Sequence, residues 1–391
     1  MKNCCDVFPD YYLYADYKLS FQNCITELFA LVMNTLPKNI LLGLISVISF
    51  LGCKQEKKTE NESTMAEPAS IANLPKSRYT IGDSIKIGFT EPVADFQIET
   101  DGEINESKLT GLDSAAFLSK HIKTGWHQLV VAGKTKSNVA FADTLRFELV
   151  SDVAPKEMKY VVAGSFPHLK TSFTEGLEFY KGELYEGTGE NGKSQLLKID
   201  LKTGAALKSL NLDPKYFGEG ITVVNDKIYQ LTWQSGVCFR YNMDFTLDKT
   251  FTYYFQGWGL THRDTTLMMS DGSNKIHFYN TEYEKTGDLE VYDQNGPVRN
   301  INELEYLNGY IYANIFETTK IIKIDVATGK VVGVLNMQSS IIPAEIDARK
   351  DVLNGIAYNS ADQSFYVTGK NWPVMFRVKL KDIKGDGGRN L

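Results

Sequence analysis

A chain of 391 residues is long enough for two or three domains, and 43% hydrophobic with 23% charged residues is ordinary for a folded globular protein. A formal net charge of −6 provides no basic stripe of the kind that a polyanion partner needs, so nucleic acid is not expected to bind. Of the five cysteines, only Cys238 falls in the part that reads as folded, which excludes a disulfide framework and a thiolate metal site there.

Residues 1–32 fit no export plan: Met33 stands where a signal would begin, so 1–32 reads as a doubtful leader or a mis-started extension carrying Cys4, Cys5 and Cys24. In 33–53, Lys38 precedes the apolar run 40–51, which ends in Gly52-Cys53. That run falls short of the ~20 residues needed to span hydrocarbon and suits the apolar region of a secretory signal. The ending is similar to a bacterial lipoprotein signal, with Cys53 as the lipidated residue and the polar stretch 54–75 as a flexible linker. The expected location is the cell envelope, on the periplasmic or outer face, anchored to the membrane through that lipid.

Residues 76–153 hold stretches of alternating polarity at 79–87, 96–100, 125–131 and 143–150. Short strands separated by turn residues predict a small β-sandwich, immunoglobulin-like, closed by Val153-Ala154-Pro155.

From 157 to 381 a signature returns: Phe173-Thr174-Glu175-Gly176-Leu177, Tyr216-Phe217-Gly218-Glu219-Gly220-Ile221, Gly257-Trp258-Gly259-Leu260, Ile301-Asn302-Glu303-Leu304 and Leu353-Asn354-Gly355-Ile356. Its spacings of 44, 39, 44 and 52 residues suit the blades of a β-propeller. After each signature come a second strand (183–186, 227–230, 266–269, 310–313, 364–367) and a third (196–200, 237–241, 275–279, 321–325, 374–378). Two of these lead into hairpins at Gly204 and Gly329. The expected fold is all-β, a five-bladed β-propeller preceded by the sandwich, with 382–391 as a tail. Cys238, alternating with aromatics on a strand, reads as a buried structural thiol.

In such a fold the first strands line the axis, so Glu175, Glu219, Trp258, Asn302 and Asn354 converge at one mouth. The ends of the second strands add Trp233, Phe316 and Lys370, while Gly189 and Gly272 leave space. Asn and Glu at strand starts can also serve only to satisfy backbone groups. Inward-facing acids close together cost more than packing requires, however, and that favours a site. The five histidines show no ligand spacing, so no zinc is expected and no cofactor is implied. An axial calcium of a lactonase-like hydrolase stays open, since Glu175, Glu219, Asn302 and Asn354 are all oxygen donors, although Lys370 would oppose the ion. A non-catalytic peptide-binding propeller, with His168, Thr174 and Tyr216 on its rim, is the third reading.

These motifs, together with Asn314-Ile315-Phe316-Glu317-Thr318 and Val367-Thr368-Gly369-Lys370, resemble the plant and bacterial glutaminyl-peptide cyclotransferases. Those enzymes are five-bladed propellers unrelated to the zinc-dependent animal enzymes of the same activity. The resemblance covers about 160–381. It implies conversion of an N-terminal glutamine of a peptide or protein to pyroglutamate with loss of ammonia, by a monomer without metal. It carries the essential acid to Glu219 and substrate-lining roles to Phe173, Trp233, Trp258, Asn302 and Lys370. Glu175 stands where the family usually has Gln, and Phe316 where it has Trp. Chemically, Glu219 would shuttle a proton between the two nitrogens, and Asn302 and Lys370 would donate to the amide or oxyanion. Trp233, Trp258, Phe173 and Phe316 would fold the glutamine side chain back.

Overall fold

The computed structural model describes residues 70–381, apart from 106, 110–112, 119–121, 338–342 and 344–349. The expected leader, signal with Cys53, most of the linker 54–75 and the tail 382–391 lie outside the described residues.

Two sheets share the first hydrophobic core. One takes the order Ala72–Asn73, Ser84–Phe89, Ser114–Leu118, Ser107–Leu109, and the other Arg78–Thr80, Ala140–Val150, Gly125–Thr135, Val93–Thr100, Glu103–Asn105. Ile85, Ile87, Ile98, Leu129, Val131, Phe147 and Leu149 are fully buried between them. Each comes from alternate positions of a strand, because successive side chains of a strand point to opposite faces. The sandwich starts before the expected residue 76, since Ala72–Asn73 already pairs with Gly88 and Phe89.

Five further sheets form the propeller. Blade 1 is Thr174–Tyr180, Glu183–Thr188, Gln195–Ile199 and Ala206–Asn211; blade 2 is Gly218–Val224, Lys227–Thr232, Val237–Asn242 and Leu247–Thr252. Blade 3 is Leu260–Arg263, Thr266–Ser270, Lys275–Tyr279 and Lys285–Glu290; blade 4 is Ile301–Leu307, Tyr310–Ile315, Lys320–Asp325 and Val331–Asn336. Blade 5 combines Leu353–Asn359, Ser364–Gly369 and Val374–Leu380 with an outer strand from far upstream, Tyr160–Pro167, which closes the ring. Just before it, Lys156–Glu157 adds a parallel strand to the edge of blade 4. The sandwich is braced against blades 3 and 4: the Thr124 hydroxyl donates to the Glu290 and Thr328 carbonyls, and Tyr292 donates to the Glu148 carboxylate at 3.1 Å.

The first strands of neighbouring blades touch in a closed ring. That contact explains the glycine of the repeated signature: a side chain at Gly176, Gly220 or Gly259 would come within 3.0 Å of backbone in the next blade. Blade 4 has Glu303 at the equivalent position, and its carboxyl group accepts from Leu177 N of blade 1 (3.2 Å) and Ile356 N of blade 5 (2.8 Å). Glu178 likewise accepts from Val223 N of blade 2, and Glu305 from Tyr358 N of blade 5.

Burial, reinforced for Glu303 and Glu305 by neighbouring carboxyls, pushes these acids above the ordinary carboxylate range, Glu178 to about 8. A raised folded-state value gives stability that is complete below the unfolded value near 4.3 and is lost as pH climbs through the folded one. The melting temperature is therefore expected to fall from about pH 5 to about pH 9, and to fall less steeply in Glu178→Gln, which keeps an acceptor for Val223 N. Thermal melts across that window check this; equal slopes in the two proteins would contradict it.

Candidate active site

Strand register brings the candidate side chains to one end of the propeller. Thr174 faces Thr188, Gly218 faces Thr232, Ile301 faces Ile315 and Leu353 faces Gly369. Each first strand therefore starts where its partner ends. Glu175, Glu219, Asn302 and Asn354 lie at those starts, and Trp233, Phe316 and Lys370 stand one residue past the second strands. Trp258 precedes its strand rather than lying in it.

Seven side chains close a ring there. The Lys370 ammonium lies 4.5 Å from the Phe173 ring centre, Phe173 meets Phe217 edge-on at 6.1 Å, and Phe217 meets Trp233 at 5.6 Å. Trp233 Nε1 donates to Gln256 Oε1 at 2.8 Å, and Trp258 Nε1 donates to the same oxygen at 3.1 Å. Trp258 meets Phe316 at 5.5 Å, and Phe316 returns to the Lys370 ammonium at 5.3 Å. The two glycines expected to leave space are seats for this ring. A side chain at Gly189 would collide with Phe217, and one at Gly272 with Trp258.

The acids lie with the lysine. Lys370 Nζ donates to Glu175 Oε1 at 2.7 Å, and Asn354 Nδ2 donates to Glu175 Oε2 at 2.9 Å, all three residues being buried. Asn354, read from sequence as a substrate contact, is fully buried, and its Nδ2 donates to Glu175 Oε2 and to the Thr174 carbonyl. Glu219 is 5% exposed and makes no hydrogen bond or ion pair to another described residue. Burial raises it well above the ordinary carboxylate range and the Glu175 charge adds to that, while Lys370 pulls the other way. Glu175 is itself raised by burial, against the pull of Lys370 and Asn354. The buried Asn302 Oδ1 also lacks a hydrogen-bond partner among the described residues. Cys238 is fully buried, and burial raises its thiol.

Behind this site, His168 and Thr174 are buried rather than on a rim. His168 donates from Nδ1 to the Trp372 carbonyl (2.7 Å) and faces Glu186 Oε1 from Nε2 (3.1 Å), and Thr174 Oγ1 donates to the same Glu186 oxygen at 2.7 Å. Burial opposes the charged imidazole, but the Glu186 charge and these hydrogen bonds outweigh it and raise His168 above its ordinary value.

Reading the sequence missed Phe217 and Gln256, and the repeat itself carried the signal. Each stands two residues before its signature position, as Phe173 does before Glu175.

Comparison with known proteins places these features in a family. A family model described as glutamine cyclotransferase matches residues 135–380, from the last part of the sandwich to the end of blade 5. The chain is 34% identical over 247 residues to the glutaminyl-peptide cyclotransferase of Arabidopsis thaliana, covering 61% of this chain and 77% of the relative. It is also similar to the crystal structure of Myxococcus xanthus glutaminyl cyclase, at 33% identity and a TM-score of 0.55, covering 58% of this chain and 98% of that one. The five blades, the repeated signature and the matched span agree: the chain belongs to the glutamine cyclotransferase family of enzymes.

Proposed function

We propose that Glu219 is the proton carrier of a metal-free ring closure, in which an N-terminal glutamine of a peptide or protein becomes pyroglutamate. The α-amine nitrogen bonds to the γ-carboxamide carbon. Its proton passes to the Glu219 carboxylate, and the same proton then goes to the departing nitrogen, which leaves as ammonia. The observation that carries this reading is a buried carboxyl that makes no hydrogen bond or ion pair to another described residue, beside one whose two oxygens both accept from nitrogen donors. A buried ionisable group left unpaired is costly, and such groups concentrate at functional sites. Burial raises its pKa above the ordinary carboxylate range, which makes the carboxylate a better proton acceptor than an exposed one.

Glu175 and Lys370 act as a fixed pair whose opposite charges offset each other beside Glu219. Asn302 offers its carboxamide to the developing oxyanion, and the aromatic ring holds the glutamine side chain folded and dry. A cation site is the weaker reading. Both Glu175 oxygens already accept from nitrogen donors, and the Lys370 ammonium beside them would oppose an ion.

The assignment is tested through its electrostatics. Glu175→Gln removes the negative charge that raises Glu219 and keeps a side chain of the same shape. Glu219 then loses its proton at lower pH, so the acid limb of the kcat profile is expected to move toward acid. An unmoved limb in a folded variant would overturn the role of Glu219.

We also propose that Cys53 tethers the enzyme to a membrane of the cell envelope, which rests on the apolar run 40–51 and Gly52-Cys53. Mass spectrometry of the mature N-terminus tests this. An unlipidated Cys53 would overturn it.

A further inference from the structure

Gln256 lies outside every motif from which the site was read, yet it completes the ring. An indole N–H is a donor only, so two tryptophans whose N–H groups point into one gap need an acceptor between them. Gln256 Oε1 is that acceptor for both Trp233 and Trp258. This also fixes which way the carboxamide faces: were Nε2 in that place, three groups would be donors with no acceptor among them. Nε2 itself makes no hydrogen bond to a described residue.

The segment carrying Gln256 is anchored on either side of it. Upstream, the Tyr253 hydroxyl bonds to the Thr232 carbonyl and accepts from Thr232 N at 3.1 Å. Downstream, Gly257 N donates to the Trp233 carbonyl at 3.0 Å. Phe255 stacks on His277, with ring centres 4.7 Å apart and planes 5° from parallel, and Lys285 lies 4.9 Å from the Phe255 ring centre. His277 is held in turn by Asp288 Oδ1 at 2.6 Å and Asp271 Oδ2 at 3.0 Å. Gln256 is exposed on a loop that blades 2 and 3 hold in place.

We infer that Gln256 is a positioning residue for the cyclisation, a clasp whose carbonyl oxygen sets the two indoles of the pocket wall at the spacing that receives the folded glutamine side chain. This rests on the reading of the ring as the substrate pocket. Small misplacements of groups that orient a substrate carry large kinetic costs.

The chemistry separates the clasp from a merely structural loop residue. Gln256→Met keeps the length of the side chain and loses the acceptor, whereas Gln256→Glu keeps the acceptor and replaces Nε2, which bonds to no other described residue, by an oxygen, adding one negative charge at an exposed position. Because the residue is exposed, neither substitution opens the core. With the full chain and a Gln-initiated peptide, Gln256→Met is expected to lower kcat/KM by about 10- to 100-fold, chiefly through KM, and Gln256→Glu to return it to within about 3-fold of the wild type. The tryptophan emission and near-UV circular dichroism should change in Gln256→Met and not in Gln256→Glu. Wild-type kinetics in Gln256→Met would overturn the clasp, as would equal losses in both variants. A wild type that does not cyclise the peptide would sink the reading of the pocket instead, and the spectra would still decide whether Gln256 holds the indoles.

Discussion

Glu219→Gln is expected to lower kcat for a Gln-initiated peptide by about 10²- to 10⁴-fold, the contribution of a positioned proton-transfer group, with KM close to that of the wild type. The carboxamide has the shape of the carboxyl but cannot accept a proton from the attacking amine and return it to the leaving nitrogen. Binding survives because the surrounding ring from Phe173 to Lys370 is untouched. Folding survives for a separate reason: the Glu219 carboxyl makes no hydrogen bond or ion pair to another described residue, so the substitution breaks none. Removing an unpaired buried acid also relieves a cost of the folded state, so the melting temperature should be equal or higher. Steady-state ammonia release, with thermal melts as the control, reads all three quantities. Full kcat in a folded variant would remove Glu219 from the mechanism.

His168→Ala is expected to act on stability first. Both ring nitrogens face acceptors, the Trp372 carbonyl and Glu186, and the two side chains are almost wholly buried. Alanine leaves the Glu186 carboxylate in the interior with Thr174 and Ser172 as its remaining side-chain donors among the described residues. Breaking a buried pair by removing one partner costs about 3–5 kcal/mol, which in a domain of this size lowers the melting temperature by roughly 6–20 °C. The sign with pH follows from the raised value of His168. Its contribution is complete below the ordinary value near 6.5 and is lost as pH rises through the folded-state value, so the gap between variant and wild type should be widest in mild acid and narrow in alkali. Melts at about pH 5.5 and about pH 9 check both size and slope, and a gap that widens with pH would contradict the charged pair. Some activity should go with the stability. Ser172, whose carbonyl accepts from Asn371 N, lies between His168 and Phe173, and Asn371 follows Lys370.

The repeat was legible because its cause is steric and local. Wherever first strands approach within a side chain's reach, glycine follows the signature residue, and the exception at Glu303 marks the carboxyl that bridges blade 4 to blades 1 and 5. Second strands were legible because adjacent blades bury them almost completely, as in Lys227–Thr232. Fourth strands were not, since Ala206–Asn211 and Leu247–Thr252 are mostly exposed and carry little polarity pattern. The closing strand Tyr160–Pro167 pairs with residues more than two hundred positions away, a partnership that no local periodicity encodes.

The same distinction holds in the site. Glu175, Glu219, Asn302 and Lys370 occupy repeat positions, and the strand register brings them to one end of the propeller. Asn354 occupies one too, but only its hydrogen bonds reveal that it supports Glu175. Gln256 stands at the same repeat position as Phe173 and Phe217 but is polar where they are aromatic, so its position signals the ring while its residue type conceals it until both indoles are seen to meet one oxygen.

Proton transfer through Glu219, as proposed, makes one difference decisive. Its most direct test is the mass of a Gln-initiated peptide after incubation with the wild type and with Glu219→Gln. The wild type is expected to give a loss of about 17 Da, the ammonia expelled in the general acid-base step, and the variant almost none. An unchanged mass with the wild type, or the same loss with both proteins, would contradict that proton transfer.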